Sequence, residues 1–263
     1  MARDIVAIDV HVHLSDETTQ KAKGDRTAQM ARYFGRERPP VSIDEMADQY
    51  RARKMMAVIM NTRDETVTGL TPVPNDHVAS AVKKHPDVFL AFGAIDPWTG
   101  KLALDEIKRC KDLGLTGMGE LNPARQHFFP NDVRFYPLWE QCAKLNMPIL
   151  FHGGMAAAGA GTPGGMGIKL KYSQPIAIDE VAADFPELKI ISAHPRGRGR
   201  PRAWRSRATK QTTTLICQGG RRNIFPRNWC TTSIHCCKIR HCLAQIGRPS
   251  ASSAGWKSFS RST

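Results

Sequence analysis

Four histidines stand where strand-forming stretches of this chain end. His11 and His13 close residues 4–13 (DIVAIDVHVH), His152 closes 147–152 (MPILFH) and His194 closes 189–194 (KIISAH). Side chains alternate along a strand, so the H-x-H pair presents both imidazoles on one face. Neutral imidazole is a common zinc ligand, and histidines from different strands can meet on one ion. A lone strand-terminal histidine is more often a satisfied structural residue. An H-x-H joined by two further histidines in the same register is harder to read that way. His77 and His85 fall at helix ends, where a solvated or C-capping role fits, and His127 lies in the loop ARQHFFPND, which suits the surface. His235 and His241 neighbour Cys236, Cys237 and Cys242, but their spacing matches no compact zinc site.

The elements that must hold these residues alternate in type. Residues 14–40 carry Gly24, Gly35 and Pro39-Pro40 and read as a long loop with room for one helix. Ser42 opens S-I-D-E, a capping box that starts a helix reaching about Lys54. Further strands are expected at 55–61, 88–95 and 115–121, and helices at 75–84, 102–114, 133–146 and 174–184. The strands are apolar on both faces, which belongs to a parallel sheet covered by helices. Six such units suggest an α/β fold of the (β/α)8 TIM-barrel type that stops early, since the full barrel takes roughly 250 residues. In such a barrel, inward residues at the C-terminal ends of strands build the active site. The Gly/Ala-rich segment 153–167 reads equally as an active-site loop or a flexible connection.

The chain has 263 residues and a formal charge of +14, but the charge is unevenly spread. All 24 acidic side chains precede Pro195, whereas residues 195–263 hold 15 of the 38 Lys and Arg and five of the seven cysteines. Residues 1–195 therefore read as one globular domain, long enough to bury a core. Residues 196–263 read as a basic tail without helical or alternating period, expected to be disordered. Its stretch RGRGRPRAWRSR (196–207) would bind nucleic-acid phosphates only non-specifically, as an accident of composition. The N-terminus lacks a signal-peptide pattern, and no apolar run approaches the ~18 residues that span a bilayer, so a cytoplasmic protein without a membrane partner is expected. Cys110 and Cys142 fall in helical patterns and read as reduced core thiols.

D-V-H-V-H at 9–13, N-D-V-R-F-Y-P-L-W-E at 131–140, I-L-F-H-G-G at 149–154 and I-I-S-A-H-P at 190–195 resemble the amidohydrolase-2 branch of the amidohydrolase superfamily. This branch includes the aminocarboxymuconate-semialdehyde decarboxylase-like proteins, and the resemblance covers residues 1–195. It implies a (β/α)8 barrel of the metal-dependent hydrolase type with one divalent metal, zinc ahead of manganese. By the same resemblance His11, His13 and His152 map to metal ligands, and His194 to a catalytic acid/base or substrate-polarising group. It implies a small-molecule substrate and leaves room for a homodimer in intact members. The family's last ligand, an Asp ending strand eight in a motif like F-G-S-D-W-P, has no counterpart in the sequence as written, so strands seven and eight are expected to be lost. Glu120-Leu121-Asn122-Pro123 stands where many relatives have K-L-H-P, so that part of the pocket is expected to differ.

Joining the third base of each codon after Pro195 to the first two of the next makes Cys236–Phe259 compatible with L-L-Q-D-K-A-L-F-G-S-D-W-P-A-I-S-V-E-R-W-M-E-E-F. The missing Asp codon would span Gln245 and Ile246. The tail therefore reads as out of frame. The expected function is a metal-dependent hydrolase of a small acid or acyl compound from aromatic degradation, β-ketoacyl thioesters among them. A carboxy-lyase of the same family is the alternative, and the inactive product of a disrupted gene is a third reading.

Overall fold

Short apolar strands and helices alternate along the first 193 residues, and the strands lie side by side in sequence order. The structure, a computed structural model, describes residues 5–35, 37, 39–154, 159–193, 214–217 and 236–237, with residues 33–34 and the last two segments as backbone only. His194, the basic stretch 196–207, residues 155–158 of the Gly/Ala-rich segment and most of the expected disordered tail lie outside the described residues.

The strands are β1 (Ala7–His13), β2 (Met55–Met60), β3 (Phe89–Gly93), β4 (Gly117–Leu121), β5 (Ile149–His152) and β6 (Ile190–Ala193), each parallel to the next. The helices are α1 (Glu17–Lys23), α2 (Arg26–Phe34), α3 (Ile43–Ala52), α4 (Glu65–Thr68), α5 (Asn75–Lys84), α6 (Lys101–Asp112), α7 (Pro123–Gln126), α8 (Tyr136–Lys144) and α9 (Pro175–Asp184). The expected capping box forms at α3: Glu45 N–H donates to Ser42 Oγ (3.2 Å), and Ser42 N–H donates to Glu45 Oε2 (2.9 Å). Residues 14–40 hold two helices rather than at most one. Both are polar, and they are tied down by distant partners: His77 Nε2 lies 2.7 Å from Asp16, and Arg26 Nη2 2.9 Å from Asp64.

The two faces of the sheet have different occupants. On one, Ala57, Ile59, Phe89, Met118 and Phe151 pack with helix residues Ala47, Val78, Ile107, Trp139 and Val181. On the other, Ile8, Val10, Met56, Val58, Met60, Leu90, Phe92, Leu150, Ile191 and Ala193 pack together with no helix residue, so this is the concave interior of the curled sheet. The arrangement is an incomplete TIM barrel.

Beyond β6 the sequence leads one to expect no strand, yet two short ones join the sheet. Thr214–Cys217 (β7) runs parallel to β6, and Cys236–Cys237 (β8) pairs with β1 in the antiparallel sense. Backbone pairing needs no alternating side-chain pattern, which is why the sequence does not announce them. They occupy opposite ends of the sheet order, so among the described residues no parallel eighth strand closes the ring. No helix among the described residues is long and apolar enough to cross a membrane.

β1 carries one residue more than its partner. Ala7, Ile8 and Asp9 face Met55, Met56 and Ala57, whereas Val12 and His13 face Ile59 and Met60. Such a bulge changes which residues point to which face. Ile8 and Val10 lie in the interior cluster, while Val12 packs with the helix-side core. Asp9 therefore turns away from the interior, accepting hydrogen bonds from Tyr50 Oη of α3 (3.1 Å) and from the His11 backbone N–H (3.3 Å).

Candidate metal centre

The C-terminal ends of β1, β4 and β5 bring four ionisable side chains together. His11, His13 and Glu120 each offer a ligand atom within 4.8 Å of the others. His11 Nε2 lies 3.2 Å from Glu120 Oε1, and His13 Nε2 lies 3.4 Å from Glu120 Oε2. His152 Nδ1 approaches Glu120 Oε1 at 2.5 Å, and Thr62 Oγ1 donates to Oε2 at 3.3 Å. Three expected site histidines thus meet around one carboxylate. His152 joins through Glu120 rather than as a member of the converging trio.

Glu120 was not among the sequence candidates; the tetrapeptide it opens is read there only as a pocket difference. A signal existed. Glu120 is the only charged residue in β4, a strand buried along its whole length, and a buried carboxylate needs a charged or hydrogen-bonding partner.

The local chain explains how it gets there. Pairing of β4 with β5 shifts register between Met118 and Leu121, and the Glu120 N–H donates instead to the Asn61 carbonyl at the end of β2 (3.0 Å). Gly119 makes this possible. Its φ is +147°, and a Cβ there would sit 2.9 Å from both the Leu150 carbonyl oxygen and Leu150 Cβ. Gly119→Ala should therefore cost about 1–3 kcal/mol of stability, as overpacking does, and should lower metal affinity by displacing Glu120. Urea unfolding and zinc titration of the variant would check both; wild-type values in each would refute the role given to Gly119.

The electrostatics favour an ionised Glu120 carboxylate. Burial alone would raise the Glu120 pKa. The neighbouring His152 and His11, with the side chains of His11 and His13 at close range, outweigh it and hold the carboxyl well below its usual range. His13 is pushed down chiefly by burial, against the pull of Glu120. Its Nδ1 lies 3.2 Å from the Met60 carbonyl oxygen, which can only accept, so neutral His13 carries its proton on Nδ1. That leaves the Nε2 lone pair aimed at a carboxylate oxygen. Two lone pairs at 3.4 Å repel unless a cation lies between them. Ligands ~2.0–2.1 Å from a tetrahedral zinc stand ~3.3 Å apart, close to the two His–Glu separations here. The second ring N–H bonded to a backbone carbonyl is also the usual support of a metal-bound histidine. The donor set therefore fits a divalent metal. His194 lies outside the described residues.

The other histidines among the described residues have structural partners. His77 meets Asp16, His85 Nε2 meets Asp44 Oδ1 (2.6 Å), and His127 Nε2 donates to the Gly167 carbonyl (2.7 Å) while stacking on Tyr172. The last contact pins the described part of the Gly/Ala-rich β5–α9 loop against the β4–α8 loop.

Three comparisons place this geometry among known proteins. The family model described as amidohydrolase matches residues 8–210. Among curated proteins, 2-amino-3-carboxymuconate-6-semialdehyde decarboxylase of Dictyostelium discoideum is 28% identical over 79 residues, covering 30% of this chain and 22% of that protein. Gamma-resorcylate decarboxylase of Rhizobium sp. is 30% identical over 84 residues, covering 30% and 26%. The matched segments thus span about a quarter of each relative's length. Among solved structures, an uncharacterised TIM-barrel protein of Bordetella bronchiseptica superposes with a TM-score of 0.54 at 25% identity, covering 72% of this chain and 66% of that one.

Proposed function

Because the chain belongs to the amidohydrolase family, we propose that it is built as a metal-dependent carboxy-lyase acting on a small carboxylated, aromatic-derived acid. The sequence ranked hydrolysis first; the decarboxylase names of both curated relatives support the reverse order. The observation that carries the metal site is the convergence of ligand atoms of His11, His13 and Glu120 within 4.8 Å of one another. His11, His13 and Glu120 would hold the ion, with His152 as the fourth donor and zinc or manganese as the candidates. When bound, the ion supplies positive charge that polarises substrate oxygens.

The chain's own residues do the rest. The concave wall of Val10, Met60 and Phe92 gives an apolar floor that excludes water beneath the site. In the reaction the bond from ring or enolic carbon to carboxylate breaks, CO2 leaves, and the electron pair left on carbon takes a proton. His194, next after β6, is the proposed proton donor.

Zinc- and manganese-loaded protein should release CO2 from dihydroxybenzoates and related carboxylated phenols. It should not release acid from ester, amide or thioester panels. Acid release without CO2 would restore the hydrolase reading.

A further inference from the structure

Asp9 is the one acidic residue of β1, and it lies on the helix side of the sheet with only 2% of its surface exposed. An apolar side chain would fill that place, as Ala57 and Ile59 do on the next strand. A buried carboxylate is costly unless hydrogen-bond donors meet it. Two do. The His11 backbone N–H reaches Oδ1 at 3.3 Å, and Tyr50 Oη of α3 donates to Oδ2 at 3.1 Å.

Both donors bear on the metal centre. The β1 bulge sets Val10 and His11 opposite Val58 alone. A residue added to one strand leaves the regular ladder, so its N–H needs another acceptor. Asp9 supplies one from two residues back, in the local ring that Asp side chains form with their own backbone. A side chain therefore caps the bulge, and Tyr50 holds that cap from outside the strand. Tyr50 is itself fixed twice. Its ring packs edge-on against Phe89 of β3, with centroids 6.4 Å apart, and the next residue, Arg51, grips Asp87 through Nε and Nη2, both at 2.9 Å. His13 takes its direction from the Met60 carbonyl. His11 stands in the bulge, so the direction of its ring follows the backbone there, and its Nε2 lies 3.2 Å from Glu120 Oε1.

We infer that Asp9 and Tyr50 are positioning residues for the metal centre: they fix the β1 bulge and, through it, the direction of His11. The inference rests on the reading of the site as a metal centre and extends its support outward to α3.

The test compares Asp9→Ala, Asp9→Asn, Tyr50→Phe and the Asp9→Ala/Tyr50→Phe double variant of the full chain. Zinc affinity is measured by indicator competition, and cobalt(II) is bound in parallel because its visible absorption reports ligand geometry. Asp9→Ala should lower zinc affinity about tenfold or more, as loss of an outer-shell partner does, and should shift the cobalt bands. Tyr50→Phe removes only the hydroxyl and keeps the ring on Phe89; it should shift both readouts in the same direction by less, and it carries the test if Asp9→Ala fails to fold. Asp9→Asn keeps an oxygen for the His11 N–H and should restore most of the affinity. The double variant should bind zinc no worse than Asp9→Ala, because Tyr50 acts through Asp9. Variants that unfold at lower urea yet keep the wild-type zinc affinity and cobalt spectrum would overturn the inference, as would additive losses in the double variant. The metal-free chain gives a second readout: hydrogen exchange at the His11 amide should quicken in Asp9→Ala and Tyr50→Phe but not in Asp9→Asn, and unchanged exchange in the first two would also overturn it. A wild type that takes up no zinc would refute the metal reading, and the His11 amide would then decide the inference alone.

Discussion

Replacing Glu120 with glutamine should abolish most of the stabilisation that zinc gives the folded chain. A ligand present at 100 times its dissociation constant stabilises by ~2.7 kcal/mol, which for a domain of this size raises Tm by about 5–11 °C. Outer-shell partners of a metal typically contribute 10–100-fold in affinity, so losing a carboxylate donor should cost about 100-fold or more. At the same zinc concentration the linkage then leaves ~0.4 kcal/mol, a Tm shift near 1 °C.

The competing reading, a carboxylate merely satisfied by three histidines, gives a different result: Glu120→Gln would lower the apo Tm, and zinc would raise Tm equally in both proteins. Scanning calorimetry with zinc and with a chelator separates the two. A pH series adds a signed check. Glu120 is held well below its usual pKa, so its stabilising contribution is complete above the unfolded value of ~4.3 and is lost only as pH falls through the lower folded value. The glutamine variant should lack that component.

Restoring the reading frame after residue 195 should raise turnover by roughly 10²–10⁴-fold, the usual contribution of one positioned proton-transfer group. The motivation is the complete absence of Asp and Glu from residues 195–263 and the compatibility of the alternative frame with F-G-S-D, its Asp codon spanning Gln245 and Ile246. The restored segment would supply an aspartate at the end of an eighth strand, which the chain as written cannot. It would also replace β8, two residues running antiparallel to β1, with a parallel strand able to close the ring. Small displacements of ligands are costly, so closure should tighten the histidine cluster as well. Both chains, loaded with zinc or manganese, would be assayed side by side on carboxylated phenols and thioesters. Equal turnover would show that the segment after 195 is dispensable.

Much of the site was legible because strand ends and histidines are both local signals. His11, His13 and His152 could be placed on one mouth from alternation and strand order alone, and the Ser42–Glu45 box marked the start of α3, which ends at Ala52, two residues short of the expected Lys54. Glu120 escaped because its role is tertiary: one acidic residue between Gly119 and Leu121 says nothing until β4 is set between β3 and β5. α1 and α2 escaped for a related reason. Their polar faces are paired with Asp64 and His77, which are distant in sequence, and periodicity cannot register such partners.

The extra residue in β1 also separates two kinds of heredity within one strand. Before it, even-numbered Ile8 and Val10 fill the interior; after it, odd-numbered His11 and His13 face the mouth. Without the bulge, a single alternating register would govern both, and any one-residue slip that repacked the floor would also turn the histidines away. With it, the lower half of the strand can drift among apolar residues while the upper half stays committed to its chemistry. The same bulge leaves Asp9, which strict alternation would count as a third donor, on the helix side with Tyr50.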